Sequence, residues 1–256
     1  MPELNPSPVH WKPVASPVPT TLSGRTVTLE PLSSERHTTA LWQAVAGHDE
    51  IWAWLADGPY SAETELRDAL AQKQAGTAAV FFAIVPAEPG HPEGAGAFMP
   101  LKAGEIERPS GPATSSSAKA AGYASYMRIE PAQGVIEVGN ILLSPRLQRT
   151  TAATEAMYLM ARHVFEDLGY RRYEWKCNAL NEPSRRAALR YGFTYEGIFR
   201  QHMVIKGQNR NTAWFSMLDH EWPARKAAFE AWLDPGNFDA NGQQRRPLSS
   251  IASTKV

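Results

Sequence analysis

Residues 135–168 read VIEVGNILLSPRLQRTTAATEAMYLMARHVFEDL. The run Val135–Leu143 is aliphatic or β-branched apart from Glu137, Gly139 and Asn140, and Pro145 lies just beyond it. That composition predicts a strand, buried on both faces because apolar residues are nearly continuous. From Ala152 the pattern changes period. Ala156, Met157, Met160, Val164, Phe165 and Leu168 recur at three- and four-residue steps, the stripe of an amphipathic helix. Thr151 suits the N-cap, Glu155 the first turn and Gly169 the C′ position. A strand feeding a helix through a polar loop aims unpaired backbone N–H groups outward at the helix start. Such a site holds an anion, most often a phosphate. Glu137 inside the strand is costly to bury without a partner or a task.

Outward from this unit the chain reads as strand, helix, helix, three strands, helix, strand, helix, two strands, helix. The strands are expected over residues 24–31, 79–85, 122–129, 135–143, 171–177, 193–205 and 212–218. The helices are expected over 33–46, 61–75 (capped by Ser61), 152–168, 183–191 and 221–233. Residues 206–211 (KGQNRN) read as the loop between the last two strands. The order predicts an α/β (α+β) domain with a mixed sheet and helices on both faces, spanning about 23–234. Residues 1–22 are Pro-rich and read as a tail or an ordered strap. Residues 87–120, rich in Pro, Gly, Ser and Ala, read as a flexible insertion, and 235–256 as a disordered tail.

Composition narrows the class. The 256 residues include 26 basic and 26 acidic side chains, so no basic footprint for nucleic acid is present. No apolar run reaches membrane-spanning length, and MPELNPSPVHW lacks the core of a secretory signal. Cys177 is the single cysteine, which rules out an intrachain disulfide. These features predict a soluble, cytoplasmic protein with neither a nucleic-acid nor a membrane partner, a monomer or homodimer. The histidines show no metal-ligand spacing, so no metal is expected, and neither a G-x-S-x-G elbow nor a P-loop is present.

Several segments together resemble the GNAT superfamily of acetyl-CoA-dependent N-acetyltransferases. Gln148-Arg149-Thr150-Thr151-Ala152-Ala153 is similar to its acyl-CoA motif, Gln/Arg-x-x-Gly-x-Gly/Ala. Thr154-Glu155-Ala156, Glu137-Val138-Gly139, Asn181 with Ser184, Gly192-Phe193 and Glu196-Gly197 resemble segments of the branch that acetylates ribosomal-protein N-termini. The resemblance covers about residues 24–220. It implies a mostly antiparallel central sheet whose fourth and fifth strands splay apart. It also implies acetyl-CoA as co-substrate and direct attack of an amine on the thioester. The family carries glycine where Arg149 and Thr151 stand, so phosphate binding here is expected by altered means, through the Thr150 and Thr151 hydroxyls and the Arg149 charge.

The resemblance implies a role for particular residues, each with a plain structural alternative. Backbone groups of Ile141, Leu142 and Leu143 would pair with the pantetheine arm, with the loop Gln148–Ala153 on the pyrophosphate. Glu137 is the candidate base. Its alternative is a structural carboxylate paired with an arginine on a neighbouring strand, and Glu174 is a rival base. Ser184 is the candidate proton donor to the leaving thiolate, or else a first-turn serine satisfying a helix N–H. Asn181 contacts the pantetheine or acetyl group, or is a plain N-cap. Arg185, Arg186 and Arg190 reach CoA phosphates or form a solvated helix face. Cys177 reads as a small buried hydrophobe rather than a nucleophile.

The segment 52–60 and the hairpin at 206–211 are expected to form the acceptor pocket, with Arg200, Gln201 and His202 lining it. An α-amine, with pKa near 7.7–8 against 10.4 for lysine, offers a roughly 300-fold larger neutral fraction at pH 7. The acceptor is therefore expected to be a protein N-terminus or a small amine or amino acid. The alternative to an enzyme is a CoA-binding sensor or scaffold with a degenerate site.

Overall fold

A computed structural model describes residues 10–87 and 119–252. The described residues form one eight-stranded sheet, β1 (Leu22–Ser23), β2 (Val27–Pro31), β3 (Ala79–Pro86), β4 (Gly122–Glu130), β5 (Val135–Leu143), β6 (Arg172–Asn178), β7 (Thr194–Ile205) and β8 (Gln208–Leu218), in the order β1-β2-β3-β4-β5-β6-β8-β7. Every neighbouring pair is antiparallel except β5 and β6. A parallel pair needs a crossover, and α3 (Thr151–Arg162) supplies it.

The helices lie on both faces. α1 (Ser34–Val45) and α2 (Glu63–Ala75) cover one side, where Leu41, Val45, Leu66 and Leu70 pack on Ala83, Tyr123 and Leu142. On the other side Met157, Met160, Val164 of the α3 region and Phe229 of α5 (Trp222–Leu233) pack on Ile136, Val138, Tyr173 and Trp175. The predicted helix 152–168 is therefore real in position but changes pitch, its last turn (His163–Asp167) being a π-helix closed by Leu168 N–H to the His163 carbonyl.

Local chemistry moves several boundaries. Ser61 does not cap α2. Glu65 turns back instead and accepts from both the Ser61 backbone N–H and its hydroxyl, and the helix starts at Glu63. The β7–β8 loop shrinks from six residues to Lys206 and Gly207, both at positive φ (48° and 73°), the geometry of a two-residue hairpin turn. The tail after 234 is not disordered through Ala252. Pro235–Asn237 forms a 3₁₀ turn, Phe238 meets Trp232 edge-on at 5.2 Å, and Leu248 of α6 (Leu248–Ala252) is buried. Apolar side chains spaced ten residues apart give no period to read, yet each finds a place on the α5 face.

Residues 10–21 run as a strap. Trp11 Nε1 donates to the Ala132 carbonyl at 2.9 Å, Val14 N–H to Pro131 at 3.2 Å, and the Tyr170 hydroxyl to Ala15 at 3.2 Å. The expected insertion at 87–120 lies almost wholly outside the described residues. No described helix is long and apolar enough to cross a membrane.

Candidate active site

β5 and β6 run side by side only over Val135–Val138, opposite Arg172–Trp175. Beyond Val138 the two strands part, so Gly139–Leu143 has no partner on its β6 side. The splay follows from a bulge on the β4 side. Ser125 sits opposite Gly139 but Tyr123 opposite Leu142, which leaves one extra residue on β5, and Asn140 takes φ +49°. Ser125 pins the bulge from within, its hydroxyl donating to the Gly139 carbonyl at 3.1 Å.

Past the bulge Ser144 N–H binds the Ala121 carbonyl and Leu142 lies against Tyr123, so these residues direct their backbone toward β4. By alternation Leu143 and Ile141 direct theirs into the gap. Leu142 is thus removed from the expected pantetheine contacts. Its backbone is committed to β4 and its side chain, 1% exposed, to the α1–α2 core. Gln148 closes the far end, Nε2 donating to the Leu143 carbonyl at 3.0 Å.

The loop into α3 follows at once. Thr150, not Thr151, is the N-cap of α3. Its hydroxyl accepts from Ala153 N–H at 3.1 Å and donates to the Leu147 carbonyl at 2.7 Å. That hydroxyl is spent, so the expectation that it binds phosphate is corrected. Thr151 and Ala152 precede the first intrahelical bond, Thr154 N–H to Thr150, and their N–H groups stay free for an anion. Ala152 and Ala153 are small and pack into the core at the helix start. Arg149 stands exposed with φ +62°. The position where the resembling family carries glycine is therefore left-handed here too, with arginine bearing the strain. Arg149→Gly is expected to raise stability by up to about 1 kcal/mol, read as a higher Tm, because glycine occupies αL without the Cβ penalty. An unchanged or lower Tm counts against this backbone geometry.

Glu137 lies on the opposite sheet face from Ile136 and Val138, 4% exposed. Its Oε2 sits 3.0 Å from Lys176 Nζ and 3.2 Å from Arg128 Nε without a well-aligned hydrogen bond to either. Burial pushes the carboxyl above its ordinary value, against the opposing pull of Lys176 and Arg128. The pairing with Arg128 on β4 is the structural alternative named from sequence. The raised carboxyl gives the group proton affinity beyond that of an ordinary carboxylate. Glu174, the rival, is held by Lys176 Nζ at 2.6 Å and Arg172 Nε at 2.7 Å. Arg172 continues to Glu196 at 2.8 and 2.5 Å, and Ser216 donates to Glu196 at 2.7 Å.

This chain of charges was not foreseen. Arg172, Glu174 and Lys176 share β6, but they meet Glu137 and Glu196 only through register, Glu137 opposite Met127 and Glu174, Glu174 opposite Ser216. The alternation of Glu174 and Lys176 inside an otherwise apolar strand was the signal available.

Across the gap, α4 (Glu182–Arg190) starts with Asn181, whose side chain accepts from Ser184 N–H at 3.1 Å. Asn181 is therefore the N-cap. The Ser184 hydroxyl accepts from Trp175 Nε1 at 3.0 Å, which leaves its own proton to donate. Cys177 is buried and burial pushes its thiol up, as fits a core residue. Of the three arginines on α4, Arg190 is bound to the Thr154 hydroxyl and stacks on Trp232, Arg186 pairs with Glu182, and Arg185 reaches the Ala179 carbonyl at 3.4 Å. Arg190 at least is structural. The two expected walls of the acceptor pocket touch, Lys206 Nζ donating to the Trp52 carbonyl at 3.0 Å. Among the described residues no His, Cys, Asp and Glu group could hold a metal.

Residues 26–194 match the family model described as "Acetyltransferase (GNAT) domain". A GCN5-related N-acetyltransferase from Brucella melitensis is 42% identical with a TM-score of 0.81, covering 95% of this chain and 98% of that one. A protein of Chromobacterium violaceum ATCC 12472, described as a probable acetyltransferase of the GNAT family, is 34% identical with a TM-score of 0.70, covering 86% and 96%. At 19% identity and a TM-score of 0.57, over 78% and 99%, the fold is shared with a Salmonella typhimurium acetyl transferase described as modifying the N-terminal serine of 50S ribosomal subunit protein L7/L12. No curated protein matches the chain. The chain belongs to the GNAT acetyltransferase superfamily and is an N-acetyltransferase. The mostly antiparallel sheet with helices on both faces is the fold of that family.

Proposed function

We propose that this enzyme transfers the acetyl group of acetyl-CoA to a primary α-amine, of a small molecule or of a protein N-terminus. One observation carries the reading. The free edge of β5 begins just past Glu137, where the two strands part beyond Val138, and leads to the free N–H groups of α3, so one extended molecule fits with a thioester at one end and a pyrophosphate at the other.

The residues present fit such a co-substrate. Ile141 and Leu143 offer an unpaired strand edge, to which an amide-bearing arm adds as an extra strand would. Thr151 and Ala152 N–H groups at the positive end of α3, with Arg149 beside them, suit phosphate. Gln148 stiffens the connection between the two. Bound there, acetyl-CoA supplies an activated acetyl group with a thiolate as leaving group.

The side chains then have two proton tasks. Glu137 takes the proton of the attacking amine, directly or through a water, for which its raised carboxyl is suited. Ser184 gives a proton toward the leaving sulfur, its lone pair engaged by Trp175 and its O–H turning away from the neighbouring Cys177 to do so. The oxyanion falls to backbone N–H groups around the Asn140 bulge, which are fixed before substrate arrives.

A turnover screen with acetyl-CoA over peptides with free N-termini, free amino acids and polyamines tests the reading. Acetylation is expected at α-amines. Ser184→Ala is expected to lower kcat about tenfold, a modest loss because a thiolate with pKa near 8.5 leaves readily without full protonation. Acetyl-CoA binding with no turnover across the whole panel overturns the enzyme reading in favour of a CoA-binding sensor.

A further inference from the structure

Among the described residues, the polar face of β4–β8 around Glu137 carries one more cation than its carboxylates account for. Glu137, Glu174 and Glu196 are shared among Arg128, Lys176 and Arg172. Arg210 lies on β8 two residues before Thr212 and four before Trp214, hence on the same face as both. Thr212 meets His202 Nδ1 at 2.9 Å on that face, and Trp214 lies under Lys176 Nζ at 3.8 Å from its ring centroid. Arg210 is partly buried, its Nε is inaccessible and unbonded among the described residues, and the charges that act on it are Glu137, Cys177 and Arg128. It sits just past the last β6 pair, Asn178 opposite Thr212, at the end of the gap where β6 leads into α4, and the Glu137 charge reaches it from further down the sheet. Trp214 Nε1 is a second buried donor on this face with no acceptor. Burial and the cations Arg128, Arg210 and Lys176 hold the His202 imidazole below its ordinary value.

A half-buried guanidinium whose inaccessible Nε has no acceptor is costly unless a ligand supplies one. The ligand that enters this face is the acceptor. Its amine has to lose a proton before it attacks, and the surplus positive field favours the neutral form. Resting on the acetyl-transfer reading above, we infer that the acceptor bears a carboxylate within a few bonds of its amine and that Arg210 is the counterion that selects it. The shared chemistry is that of an α-amino acid or of a peptide whose first residue is acidic. Polyamines, which bring only positive charge, are excluded on the same ground.

The test compares matched acceptors with acetyl-CoA on the wild type, Arg210→Gln and Arg210→Lys. The pairs are free amino acids against their α-amides, and peptides opening with Asp against the same peptides opening with Asn. The wild type is expected to prefer the carboxylate member of one pair at least tenfold in kcat/KM, through KM, and which pair responds tells the two sources apart. Arg210→Gln is expected to bring that ratio to within a few-fold of one, with Arg210→Lys between. Calorimetric titration of the same pairs into CoA-loaded protein reads the preference without turnover, so a failure of acetyl transfer and a failure of carboxylate recognition give different results. Equal handling of both members by the wild type overturns the inference. So does an equal loss on both in Arg210→Gln, which is the mark of a structural arginine.

Discussion

Glu137→Gln is expected to lower kcat/KM for the acceptor amine about 100- to 1,000-fold, the range for removing a positioned general base. The wild-type rate is expected to fall as pH drops through the Glu137 carboxyl, which burial holds above its ordinary value, and this acidic limb should vanish in the variant. Stability follows a different course. A carboxyl raised in the folded state contributes stability that is full below its unfolded pKa and is lost as pH rises through the folded one. At neutral pH the buried charge is thus a net burden, and its removal relieves desolvation while loosening Lys176. Lys176 keeps Glu174 at 2.6 Å, so Tm is expected to stay within a few degrees. The competing possibility makes the opposite forecast. A Glu137 that only ties β5 to Arg128 and Lys176 gives a variant with a lower Tm and an unchanged pH profile of kcat/KM.

What the sequence shows of this site depends on how far apart the interacting residues lie. The strand Val135–Leu143 has the bounds expected of it because its apolar run and Pro145 are local signals. Local signals fail by one residue at the helix start. Thr150 and Thr151 are chemically equal caps, and only the nearby Leu147 carbonyl selects Thr150. The polar segment Gln208–Asn211 looks like loop, yet it is strand, because β7 and β8 form a hairpin at the sheet edge where polar side chains are tolerated. Glu155 misleads most. It reads as a first-turn acid complementing the helix dipole. In the fold it is buried and accepts from the backbone N–H groups of Arg25 and Thr26, at 2.8 and 2.6 Å, across 130 residues of chain. It fixes the turn between β1 and β2 against α3. Hydrogen bonds of that span leave no periodic trace, and the same holds for the ion pairs of Glu137 with Arg128 and Lys176.

The GNAT motif is legible as a pattern, but its departures acquire meaning only from backbone angles. Arg149 shows that the left-handed turn is kept without glycine. Thr151 lies inside α3 at an ordinary φ, which needs no glycine. On the proposed reading, the loop presents amides to an anion with residues other than glycine.

That conclusion is tested most sharply at Thr151 itself. Thr151→Glu is expected to weaken acetyl-CoA binding about 10- to 100-fold, read as a rise in Kd by calorimetry and in KM with kcat little changed. A carboxylate in the first turn interacts favourably with the helix dipole, by roughly 0.3–1 kcal/mol, so the folded protein should hold or gain Tm. The same carboxylate competes for the N–H groups of Thr151 and Ala152 and repels a pyrophosphate within a Debye length of about 8 Å. Rotation of the side chain does not carry it out of that range. The weakening should be larger at low ionic strength, and smaller for a dephosphorylated, shortened thioester that carries acetyl-pantetheine without the pyrophosphate. A variant with raised Tm and unaltered Kd would place the phosphates elsewhere on the protein, and the extended path from Glu137 to α3 would lose its anchor.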